Sequence, residues 1–177
     1  ARKLRAKPYM PKPGGDPSRV RQGFFTREEV ERLCTPCSCS PEAIQARTWT
    51  SLLRKQHPDV APCWHLPADI ADVVTFLFFS AWRVGEARTL EWRDHFAAEN
   101  TIRLRPEHSK NSHGRVLPVV GELAAVLEYR SKVRRLDCPY IFHQHGRPIG
   151  DFRKVWRTAC AAIGLEGRIV HDLRRSG

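Results

Sequence analysis

The stretch DIADVVTFLFFSAWRVGEARTLEW, Asp69 to Trp92, decides how this chain is read. Its first half is apolar on nearly every side, so a helix from about Ala68 to Trp82 is expected to lie buried rather than half-exposed. It is too short to cross a membrane, which takes about 18 or more apolar residues, and it carries Asp69 and Asp72. Arg83 follows at once, and VGEARTLEW reads as a second, short helix. A buried helix therefore delivers an arginine to its end.

Downstream of that stretch the period changes. In TIRLR (101–105), Ile102 and Leu104 alternate with Arg103 and Arg105, as in a half-buried strand. RVLPVV (115–120) reads as its partner, and the polar PEHSKNSHG between them makes the pair a β-hairpin with Lys110 in its turn. Helical spacing returns at Leu123, Val126 and Leu127. It returns again at Phe152, Val155, Trp156, Ala159 and Ile163, where Gly164 is the stop signal. Tyr129 falls on the first of these helices, and Tyr140 precedes a short apolar stretch read as a strand. Upstream, FFTREEVERL (24–33) opens a helix: Thr26 and Glu29 have capping-box spacing, and Phe25 and Val30 occupy the staple positions. The chain is expected to be mainly α with a small antiparallel hairpin or sheet, an α+β arrangement without internal repeats.

Two segments stand apart. Residues 1–22 are basic and rich in proline and glycine, which reads as a linker. Residues 35–64 break the pattern between the first two helices. Cys34, Cys37, Cys63 and His65 fall in or beside this segment and form a conceivable zinc set. A loosely structured insertion with free thiols is the preferred reading. Cys138 and Cys160 read as small buried apolar residues. No secretory signal opens the sequence, which argues against a disulfide framework and for a cytoplasmic protein.

The net charge is +11. The basic residues are spread along the chain, so a folded basic face with a polyanionic partner is expected, nucleic acid first. Arg83, Lys110, His171 and Arg174 are the basic groups at structurally telling places. His171 and Arg174, in IVHDLRRSG (169–177), are three apart and so share one face of a short helix. Singly, each is an ordinary surface residue.

Together and in order, FFTREEVERL, FFSAWRVGEARTLEWRDH, TIRLRPEHSKNSHGRVLPV and IVHDLRRSG resemble the catalytic domain of the tyrosine recombinases, the phage-integrase family. Arg83, Glu86, Leu90, Trp92 and Asp94 match the family's arginine segment, although Ala81-Trp82 stands where Gly-Leu is usual. The resemblance covers roughly 23–33 and 66–177, within a catalytic domain expected over 23–177. It implies a DNA breaking-and-rejoining fold, double-stranded DNA as partner (nucleoid-associated when bound), and a possible homo-oligomer on that DNA. No cofactor, no resident metal, no membrane and no small-molecule substrate are implied.

The implied reaction is attack of a tyrosine on a DNA phosphodiester to give a 3′-phosphotyrosyl bond. Arg83 and Arg174 would hold the phosphate through their planar forks. Lys110 would protonate the leaving 5′ oxygen. His171 would hydrogen-bond the phosphate or manage the tyrosine proton, Glu86 would orient Arg83, and Arg175 would add a DNA contact. The family's tyrosine follows the His-x-x-Arg segment. Here the tyrosines are Tyr9, Tyr129 and Tyr140, all before His171, so the nucleophile is read as lying outside these residues and this stretch alone as inactive. A DNA-binding remnant without catalysis is the alternative, and a zinc-stabilised interaction module the distant one.

Overall fold

The computed structural model describes residues 23–34, 66–109 and 112–176. The linker over 1–22, the segment over 35–64 with Cys37 and Cys63, His65 and the hairpin Lys110 lie outside the described residues.

Helix α1 spans Arg27–Cys34. Its start is the expected capping box. The Glu29 amide donates to Thr26 Oγ1 (3.2 Å), and the Thr26 amide donates to Glu29 Oε2 (2.9 Å), so two otherwise orphaned N–H groups are satisfied. Phe25 and Val30, the staple pair, are both buried. Helix α2, Ala68–Ser80, is the buried element anticipated from its composition. Val73, Val74 and Phe76 are wholly shielded. Phe76 packs edge-on against Trp82 and at a tilt against Phe142. Burying a side chain of this size contributes about 2–3 kcal/mol, which makes α2 the axis of the core. Helix α1 and the later helix Glu122–Lys132 both pack on it.

Helix α3, Val84–Arg88, follows after a three-residue turn. A three-stranded antiparallel sheet comes next: β1 (His95–Phe96), β2 (Thr101–Leu104) and β3 (Arg115–Pro118), in that spatial order. The expected hairpin is β2–β3, with Ile102 opposite Leu117 and Leu104 opposite Arg115. Ile102 and Leu104 point into the core, while Arg103 lies on the outer face against the Phe96 ring, 4.0 Å away. Helix α4 spans Glu122–Lys132 and α5 spans Arg153–Ala162, with Gly164 at positive φ just beyond α5.

The structure departs from the sequence reading in two places. A second small sheet exists, β4 (His143–Gln144) with β5 (Arg147–Pro148). Its two-residue turn, His145-Gly146, has positive φ at both positions, the geometry that suits a tight hairpin. The apolar pair after Tyr140 is not a strand: Tyr140 makes one isolated bridge to Glu91, and Ile141 and Phe142 are core residues. The short helix expected at His171 is a 3₁₀ helix, Val170–Arg175. Among the described residues, no helix is long and apolar enough to cross a membrane.

Candidate phosphate-binding site

Arg83 sits at the N-cap of α3 in extended conformation. The chain reaches it by reversing direction at Ala81, which has φ 52° and ψ 25° and whose amide donates to the Leu77 carbonyl (3.1 Å). One turn into α3, the Glu86 carboxylate is 2% exposed. Its Oε2 accepts the Arg83 amide (2.8 Å), and its Oε1 accepts Arg83 Nη1 (3.0 Å). A third donor, Nη2 of Arg115 on β3, reaches Oε2 at 2.5 Å. Burial acts to raise the pKa of Glu86. The Arg83 amide and guanidinium and the Arg115 guanidinium outweigh it and hold the carboxyl below its ordinary range. Glu86 is therefore a fixed anion, and Arg83 is a fixed, half-exposed cation.

The segment after α3 is tied down in the same way. Asp94 Oδ2 accepts the Glu91 amide (3.0 Å), and Arg105, at the end of β2, bridges Glu91 (2.8 Å) and Asp94 (2.9 Å). The hairpin is thus clamped to the arginine segment by charge on both sides of its turn: Arg105 just after β2 and Arg115 at the start of β3. Lys110 belongs to the turn between them.

The 3₁₀ helix Val170–Arg175 carries His171 and Arg174. With three residues per turn, positions i and i+3 eclipse, so the two side chains leave from one side even without an α-helix. Val170 and Leu173 occupy another side and are buried against the core, partly against α2. Asp172 is buried too, and its Oδ2 accepts the Ile169 amide (2.9 Å). Residues 23–25 clamp this short helix from outside. The Phe25 amide donates to Ser176 Oγ (2.7 Å), Ser176 Oγ donates to the Asp172 carbonyl (3.0 Å), and Arg168 Nη1 donates to the Phe24 carbonyl. His171 and Arg175 are exposed, and Arg174 is half-buried.

His171 lines an open groove of about 870 Å³. Val84 and Arg88 of α3, Trp156 and Arg157 of α5, and Ile169 line it as well. The groove therefore joins the start of α3, next to Arg83, to the His171 turn. Arg83 and Arg174 do not line it. Its basic residues Arg88, Arg153, Lys154 and Arg157 were not singled out in the sequence. The signal was present in the alternation of basic and apolar residues along α5.

Cys34 Sγ lies 3.6 Å from the Ala71 carbonyl, and burial pushes its pKa up to about 11. The other members of the conceivable zinc set, Cys37, Cys63 and His65, lie outside the described residues. Among the described residues no cluster of three or more metal-ligating side chains occurs. Cys138 and Cys160 are buried free thiols, as expected, and burial pushes Cys160 up to about 12.

The fold and sequence find relatives. The chain resembles lambda integrase as seen in a dimer bound to a COC′ core site, with TM-score 0.58 and 15% identity, covering 88% of this chain and 39% of that one. It resembles XerA recombinase with TM-score 0.52 and 20% identity, covering 85% of this chain and 47% of that one. A lambda integrase tetramer bound to a Holliday junction matches with TM-score 0.55 and 15% identity, covering 88% and 41%. The chain thus spans between about two fifths and half of the length of these recombinases. No curated protein sequence matches it. The phage integrase family matches residues 24–177, which is most of the chain, and the protein belongs to that family.

Proposed function

We propose that this chain supplies the phosphate-holding part of a site that cleaves and rejoins DNA strands in site-specific recombination. The observation that carries this reading is the fixed cation at the start of α3. Arg83 is held by a buried carboxylate, is 28% exposed, and adjoins a groove that His171 lines. Such a cation loses little freedom when it meets a phosphate, and it stabilises the extra charge that develops as the phosphorus is attacked.

In this reading Arg83 and Arg174 take the non-bridging oxygens of one phosphodiester. His171, eclipsed with Arg174, contacts the same phosphate. Lys110 protonates the 5′ oxygen as it leaves, and Glu86 keeps Arg83 in place. The attacking tyrosine is none of Tyr9, Tyr129 or Tyr140. Tyr129 is exposed on α4, and Tyr140 lies at an isolated backbone bridge to Glu91, both before His171 in the chain. Duplex DNA is the partner, the net charge of +11 supplies the long-range attraction, and copies assemble on the DNA. In the same reading residues 1–22 are a basic linker, residues 35–64 are an insertion, and the protein is soluble and DNA-associated.

The test is duplex DNA affinity as a function of salt. A steep fall is expected as salt rises from 50 to 200 mM, because counterions are released from each neutralised phosphate. Arg83→Ala and Arg174→Ala should each weaken binding modestly and flatten the salt slope by about one. Affinity indifferent to salt, or no binding at low salt, would sink the proposal.

A further inference from the structure

Glu86 is shared by two arginines from different parts of the fold, and the sharing is uneven. Its Oε1 takes a single nitrogen of Arg83 (3.0 Å). Its Oε2 takes Nη2 of Arg115 (2.5 Å) together with the Arg83 amide (2.8 Å). An arginine next to a lone carboxylate prefers to close on both oxygens with two parallel N–H bonds. Here the second oxygen is already occupied, and Arg83 makes a one-nitrogen contact.

Arg115 is itself well fixed. It opens β3 opposite Leu104, and its guanidinium lies 5.6 Å from the centre of the Trp82 ring. Trp82 is 3% exposed and locked edge-on against Phe76 of the α2 core. At Gly114, just before it, the backbone runs close to β2: a Cβ there would stand 3.0 Å from the Leu104 carbonyl oxygen. The position of Arg115 is therefore dictated by the core on one side and by the hairpin on the other. The three groups together carry one net positive charge, two guanidiniums against one carboxylate. That is one more positive charge than an Arg83–Glu86 pair alone would leave.

We infer that Arg115 is a positioning residue for Arg83: by occupying Oε2 of Glu86 it confines Arg83 to a single-nitrogen contact and leaves the other four guanidinium N–H donors for a phosphate. This deepens the phosphate-binding reading above and rests on it. It also makes the β2–β3 hairpin, whose turn holds Lys110, part of the machinery that sets Arg83. Without Arg115, Arg83 closes on both oxygens of Glu86, its fork is spent internally, and the local net charge falls to zero.

Two measurements test this on the whole 177-residue chain. The first is duplex DNA affinity at low salt in a double-mutant cycle. Arg115→Ala should weaken binding roughly three- to tenfold when Arg83 is present and less than about twofold in the Arg83→Ala background, the signature of one residue acting through another. Arg115→Lys should recover part of the loss, because an ammonium still reaches the carboxylate but as a point charge. In the Arg174→Ala background the full effect of Arg115→Ala should persist. The second is side-chain NMR of ¹⁵N-arginine in the DNA-free chain. Arg115→Ala should shift the Arg83 Nε–Hε signal and slow rotation of its guanidinium, as two bonds to Glu86 replace one. Equal losses from Arg115→Ala with and without Arg83, no loss in either, or unchanged Arg83 resonances would overturn the inference. If the parent chain binds no duplex at all, the phosphate-binding reading fails by itself, and the Arg83 resonances alone decide whether Arg115 sets that side chain.

Discussion

Ala81 is a non-glycine residue held in the left-handed backbone region, and that conformation has a cost. A residue with φ of 52° at a helix C-cap normally is glycine, because a Cβ there crowds the following carbonyl. Ala81→Gly should therefore stabilise the fold by about 0.5–1 kcal/mol, the relieved strain exceeding the extra chain entropy of glycine. Thermal unfolding checks this, and a lower Tm for the variant would show that the turn before Arg83 is not strained. Gly23 is the converse case. A Cβ at that position would sit 2.5 Å from Asp172 Oδ2 and 2.6 Å from its Cγ. Asp172 is buried and committed to the Ile169 amide, so it cannot step aside freely. Gly23→Ala should cost about 1–3 kcal/mol, the usual range for overpacking, and should loosen the His171 turn. Urea unfolding measures the cost; an unchanged midpoint would mean that residues 23–25 do not clamp that turn.

At the scale of elements, α2 and α4 meet over a buried ionic cluster that has no counterpart in the sequence reading. Arg130 of α4 is 1% exposed, and it donates to Asp69 (2.8 Å), Asp72 (3.4 Å) and the carbonyls of Ile141 and His143. Burial pushes Asp72 up to about 6, against the pull of Arg130. An acid whose pKa is raised on folding stabilises the fold fully below its unfolded value, near 4. That contribution is lost as pH rises through about 6 and amounts to something on the order of 1–3 kcal/mol. His143 acts in the opposite sense. Burial lowers its pKa, so its contribution is present above about 6.5 and lost as pH falls, and neither ring nitrogen has a partner among the described residues. Asp72→Asn should accordingly raise Tm at pH 7.5 and leave it nearly unchanged at pH 4.5, since Asp69 still pairs Arg130. A lower Tm at pH 7.5 would show that Arg130 needs both carboxylates. The cluster was illegible beforehand because its members are about 60 residues apart and a helical arginine reads as a surface group. A separation of 29 residues likewise hid the Arg115–Glu86 contact. The Thr26–Glu29 box and the β2–β3 hairpin were legible because their signals are local: a three-residue spacing and a two-residue alternation. β1, β4 and β5 are two residues long, too short to show any period, although His145-Gly146 is a turn signal that could have marked the second hairpin.

At the scale of the whole molecule, the Leu66 amide donates to the Leu33 carbonyl (3.0 Å), and both residues are buried. The described residues on either side of 35–65 thus meet directly in the core. Replacing 35–64 by a short glycine-serine turn should preserve cooperative unfolding, because closing a shorter loop changes the entropy by only about 1–2 kcal/mol. Loss of the transition would mean that the segment contributes to the core, and a chelator-sensitive Tm in the parent chain would point instead to a bound metal. In the proposed reading Arg83, His171 and Arg174, carried by two elements that both pack on α2, serve one phosphate. Side-chain NMR during titration with a short DNA duplex tests it most directly. The Arg83 and Arg174 Nε–Hε signals and the His171 ring signals should shift together, at one stoichiometry, and return when salt is raised. Shifts confined to the basic residues of α5, with Arg83, His171 and Arg174 unmoved at saturating DNA, would contradict it.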